Sequence, residues 1–63
     1  MNGKQILKKL EENGWKVSRI EGSHHIMFKE GYPRAVPVPV HGTADVKIGL
    51  LKAIERQTGV KLT

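Results

Sequence analysis

Residues 22–28 read GSHHIMF, a glycine and a serine leading into two adjacent histidines and then three apolar residues. Histidine is the side chain whose unperturbed pKa lies closest to neutrality, so an imidazole held here can take or give a proton under ordinary conditions. Gly22 admits the positive φ that a tight turn needs, and Ser23 is either a turn residue or a hydroxyl aimed at an anion. The chemistry open to this stretch is proton transfer rather than metal chemistry. His24 and His25 are neighbours on an extended segment and point to opposite faces, so they do not share one ion. His41, the third histidine, is distant in sequence, and the chain has no cysteine, so no metal site and no cofactor is expected.

The elements that must position these residues follow from pattern. Asn2 with Gln5 three residues later has capping-box spacing. Ile6, Leu7 and Leu10 then share one helical face, and Gly14 stands where a left-handed C-terminal residue belongs. A helix over about 3–13 results. WKVSRI, residues 15–20, alternates apolar and polar as a half-buried strand does. EGS is a turn, and HHIMFK at 24–29 is a second strand. EGYP at 30–33 turns again, and RAVPVPV at 34–40 is a third strand, with Val36, Val38 and Val40 on one face. Pro37 and Pro39 cannot donate to a ladder, which places that strand at a sheet edge. Asp45 is positioned to cap a second helix with Ile48, Leu51 and Ile54 as its apolar set and Leu50 beside it. Gly59 closes that helix, leaving VKLT as a tail.

The order α-β-β-β-α in 63 residues makes one α+β domain, 1–63. Short connections require an antiparallel three-stranded sheet. Both helices pack on one face and leave the other open, the layout of a double-stranded-RNA-binding-like domain. His24, Ile26 and Phe28 share one strand parity, and His25, Met27 and Lys29 the other. Apolar residues occupy both sets, so periodicity leaves open which histidine faces the helices.

Eleven Lys and Arg against six Asp and Glu give a formal charge of +5, which suits a polyanionic partner, nucleic acid or an acidic protein. No apolar run is long enough for a membrane span, and the charged segment 1–15 does not read as a secretory signal. A cytoplasmic location is expected. A domain this small is marginal alone and gains from self-association or a partner.

GKQILKKLEENGW, GSHH at 22–25, VPVHG at 38–42 and KIGLLKAIERQTGV at 47–60, taken in order, resemble the HicA toxin family over almost the whole chain. The resemblance implies the toxin of a type II toxin-antitoxin system, an mRNA interferase that cuts messenger RNA independently of the ribosome. It also implies an acidic HicB-like antitoxin as partner. The oligomeric state is open between a homodimer and a hetero-oligomer with the antitoxin. The family's catalytic histidine follows Gly-Ser, which carries over to His24, with Gly22 and Ser23 supporting the catalytic loop. Leu50 departs from the pattern, standing where the family often has Thr. If that hydroxyl caps a helix or meets phosphate, the chain lacks the contact and its activity is altered.

The chemistry stands beside the resemblance. Attack of a 2′-hydroxyl on the adjacent phosphate needs a base, an acid and cations, and no metal. One histidine cannot be base and acid at once, so a second group or water must help. Lys47, Lys52 and Arg56 around the second helix and Lys29 on the second strand are candidate RNA contacts. Lys52 and Arg56 share a helix face at i, i+4. Tyr32 is a candidate for base stacking, and Trp15 is assigned to the core. The alternative is a non-catalytic RNA-binding module of the same fold.

Overall fold

The computed structural model describes residues 1–63. Asn2 starts the chain's first helix, α1 (Gly3–Glu12), with both capping-box bonds in place. The Gln5 N–H donates to Asn2 Oδ1 at 2.9 Å, and the Asn2 N–H donates to Gln5 Oε1 at 2.8 Å. Ile6 and Leu10 are buried on one face. Gly14, with φ 90°, turns the chain so that the Trp15 N–H donates to the Leu10 carbonyl at 3.0 Å. Gly3 is fixed by close approach: a Cβ there would collide with the Pro39 carbonyl oxygen and lie 2.9 Å from Val40 Cα.

Three strands follow, β1 (Lys16–Glu21), β2 (His24–Phe28) and β3 (Val36–Pro39), then α2 (Ile48–Thr58). The sheet is antiparallel in the order β1-β2-β3. The two prolines therefore lie on an edge strand, where their missing donors cost no ladder bond. Register settles the faces. His25 and Met27 stand opposite Val38 and Val36, and Met27, Val36 and Val38 join Ile6, Leu10, Trp15, Leu51, Ile54, Val60 and Leu62 in the core. His24, Ile26 and Phe28 belong to the open face.

Several expectations need correction. The segment from Trp15 was expected to form a half-buried strand; Trp15 precedes β1 and is buried, whereas all of β1 is exposed. The helices lie over β3, so Val17 and Ile20, on the helix side of the sheet, are 39% and 59% exposed. Asp45 does not cap α2. Lys47 occupies the cap position without a side-chain bond, and Asp45 instead bridges to Asn2 and pairs with the N-terminal ammonium at 3.5 Å. Ile48 and Leu50 are exposed, leaving Leu51, Ile54 and Thr58 as the buried face of α2.

The final residues are more than a tail. Gly59, with φ 73°, turns the chain back, and Val60 and Leu62 enter the core. Glu55 accepts from the Leu62 and Thr63 N–H groups at 2.6 and 2.8 Å. These bonds, that from Leu62 first, hold the Glu55 carboxyl below the usual carboxylate range. A depressed folded-state pKa gives stability that is present above the unfolded value and lost as pH falls through the folded one. Glu55→Gln is therefore expected to lower the melting temperature at neutral pH. The gap should close on acidification below about pH 4, near the unfolded Glu value. Paired thermal melts across that range check it.

Candidate active site

The turn between β1 and β2 places the histidine pair. Gly22 has φ 60° with open space around it, so its conformation and not crowding calls for glycine. The turn is tied to β3: the Val40 N–H donates to the Ser23 carbonyl at 2.7 Å. His24 opens β2, exposed on the open face, with Glu21 across on β1 and Pro39 across on β3. His25 points to the helix side, half-buried between Ile20 and Val38, and its Nδ1 has no hydrogen-bond partner.

The open face continues along β2. Ile26 is flanked by Arg19 and Pro37, and Phe28 stands opposite Lys16. Phe28 is 48% exposed and, with Lys16, lines a hollow of about 290 Å³. Arg19 is paired with Glu21. Two prolines, a largely buried Ile26, the Arg19–Glu21 pair and Lys16 thus lie between His24 and an exposed aromatic ring. Sequence patterning missed Lys16, Arg19 and Phe28 as one set because it could not assign the faces.

A further histidine joins the turn. His41 Nε2 lies 3.4 Å from Ser23 Oγ. His41 also lines a cleft of about 290 Å³ with Asp45, Lys47 and Leu50. The VPVHG spacing carried the only hint, since 37, 39 and 41 share parity.

Ser23 and His41 therefore meet in the turn from which His24 opens β2, and Lys47 shares the His41 cleft. Leu50, which offers no hydroxyl, is exposed and lines that cleft. Lys29 is not part of this group. It is half-buried at the other end of β2, with Nζ 5.4 Å from the centre of the Tyr32 ring. Tyr32 in turn packs on Trp15 with centroids 4.9 Å apart. Lys52 and Arg56 are exposed on α2, the helix packed on the sheet face opposite His24. A hollow of about 330 Å³ lined by Tyr32, Arg34 and Gln57 contains no histidine.

Fold and surface together define a small α-β-β-β-α protein of double-stranded-RNA-binding-like layout with an uncovered, cation-bordered sheet face. The family model of the HicA toxin of bacterial toxin-antitoxin systems matches residues 3–60, and the chain belongs to that family. Among solved structures it is similar to a chain of the HicA3 and HicB3 toxin-antitoxin complex, with a TM-score of 0.78, 25% identity and 100% of each chain covered. A comparison with curated proteins finds no matching sequence. No helix is long and apolar enough to cross a membrane.

Proposed function

We propose that the protein is the toxin of a toxin-antitoxin pair and an endoribonuclease that cuts messenger RNA without the ribosome, His24 exchanging protons with the substrate. The observation that carries this reading is His24 itself: an exposed imidazole, set by the Gly22–Ser23 turn on an open sheet face, in a chain of the HicA family. RNA laid along β2 would meet Phe28 and Lys16 on the same face. Lys47, at the N-cap of α2, lines the His41 cleft, while Lys29, Lys52 and Arg56 contribute to the field that draws RNA in. HicA3 is found in a complex with HicB3; a HicB-like antitoxin of acidic character would neutralise part of the +5 charge here and stabilise a small domain by binding its folded form.

Purified protein incubated with a long single-stranded RNA tests the reading. Cleavage is expected to persist in excess chelator, because proton transfer by histidine needs no metal ion. Loss of cleavage in chelator with rescue by a divalent cation would contradict the histidine scheme. Salt-dependent RNA retention with no cleavage would favour the binding-module reading.

Phe28→Ala is expected to weaken RNA binding by about 10-fold, within the range of one base-aromatic stack. Retention by an uncleavable 2′-O-methyl RNA measures it, and unchanged affinity would remove Phe28 from the RNA path.

A further inference from the structure

We propose that His41 is the second proton-transfer group of the RNA-cleaving site, protonating the leaving 5′-oxygen while His24 deprotonates the attacking 2′-hydroxyl. The inference rests on the ribonuclease reading and adds the partner that one histidine alone lacks.

Three observations place His41 at the site. Its Nε2 is 3.4 Å from the hydroxyl of Ser23, the residue next to His24. It follows Pro39 by two residues, and Pro39 is the cross-strand neighbour of His24. The bond from the Val40 N–H to the Ser23 carbonyl, 2.7 Å, extends the β2–β3 pairing one residue past the strand ends. If that pairing ran on with strands about 4.8 Å apart and a rise of about 3.4 Å per residue, the two histidine Cα atoms would stand about 8 Å apart. That spacing admits a phosphodiester between two imidazoles. Both side chains are exposed, so both can reach a bound strand.

The contact with Ser23 also orients the ring. When His41 is protonated, Nε2–H can donate to Ser23 Oγ, which leaves Nδ1–H to face the phosphate. Ser23 is then a positioning residue. The charged groups sharing the His41 cleft are Asp45 and Lys47, and Asp45 is already engaged by the N-terminal ammonium at 3.5 Å. Lys47 is left as the cation available to a phosphate oxygen in that cleft.

The reaction balances without a co-reactant. His24 accepts the proton of the 2′-hydroxyl as O2′ forms a bond to phosphorus. The bond from phosphorus to O5′ breaks, and O5′ leaves with its electron pair and takes the proton held by His41. The products are a 2′,3′-cyclic phosphate and a 5′-hydroxyl. Afterwards His24 carries the extra proton and His41 lacks one, and exchange with water resets both.

The test uses two RNAs that differ in one atom, an ordinary oligonucleotide and one with sulfur replacing O5′ at a single linkage. A thiolate leaves without protonation, so a missing general acid matters little on the second. Parental protein, His24→Ala, His41→Ala, His41→Asn and Ser23→Ala are first checked by thermal unfolding, then assayed at saturating protein. On ordinary RNA, each His41 variant is expected to lose about 100-fold in rate, and Ser23→Ala a smaller factor. On the sulfur RNA, the His41 variants should return to within a few-fold of the parent, while His24→Ala stays about 100-fold slower. Folded His41 variants that cut ordinary RNA at the parental rate would overturn the role of His41 and leave the ribonuclease reading standing. Rescue of His24→Ala in place of His41→Ala would overturn the assignment of acid and base. A parental protein that cuts neither RNA would remove the reading on which the proposal rests.

Discussion

His24→Ala is expected to give a folded protein that cuts RNA at least about 100-fold more slowly than the parent, the loss typical of removing one general acid-base group. His24 is exposed at the first position of β2, so truncation opens no cavity. Surface changes of this kind usually alter stability by no more than about 0.5 kcal/mol. The two properties should therefore separate, with an unchanged melting temperature, lost cleavage and lost growth arrest on induction. His25→Ala supplies the contrast. Its side chain lies on the helix side of the sheet, half-buried between Ile20 and Val38. Its removal is expected to shift the melting temperature and spare the chemical step. Thermal unfolding followed by single-turnover cleavage distinguishes them, and a folded but inactive His25→Ala would move the role one residue along the strand.

Trp15→Ala should produce the largest structural loss. Trp15 is 1% exposed, the largest of the fully buried side chains. It sits just after Gly14 at the junction of α1 and β1, and it meets the Tyr32 ring at 4.9 Å. Deleting a buried aromatic side chain of this size costs about 3–5 kcal/mol. A single small core supplies only about 3–5 kcal/mol of net stability, so most of the variant should be unfolded at 37 °C. Its Nε1 has no hydrogen-bond partner, so Trp15→Phe loses volume but leaves no new polar atom unsatisfied and should cost less. Urea titrations followed by circular dichroism check both. A Trp15→Ala midpoint indistinguishable from the parent would mean that the ring does not anchor the core.

What was legible in the sequence follows from which signals are local. The Asn2 capping box, the left-handed Gly14 and Gly59 and the edge position of the Pro37–Pro39 strand each depend on a few neighbouring residues, and the structure has them. The faces of β2 were not legible, because Ile26 and Met27 are both apolar and only pairing with Val36 and Val38 separates them. The exposure of β1 was hidden for a similar reason. Val17 and Ile20 carry the composition of a buried strand, but the helices settle over β3. Asp45 has the chemistry of a cap, yet the N-terminal ammonium and the bridge to Asn2 claim it. At the candidate site, the turn at Gly22 and the start of a strand at His24 depend on adjacent residues, and the structure has them. The approach of His41 to Ser23 arises from the β2–β3 register across 18 residues, of which the parity of 37, 39 and 41 is the one local trace.

RNA is proposed to be held for cutting on the open sheet face and not on the solvent side of α2. Amide chemical-shift mapping with an uncleavable 2′-O-methyl RNA decides between the two surfaces. Shifts are expected along one path, from Ser23, His24 and His41 through Ile26 to Phe28 and Lys16. Shifts confined to Lys52, Arg56 and their neighbours on α2, with the 22–28 segment unmoved, would contradict this placement.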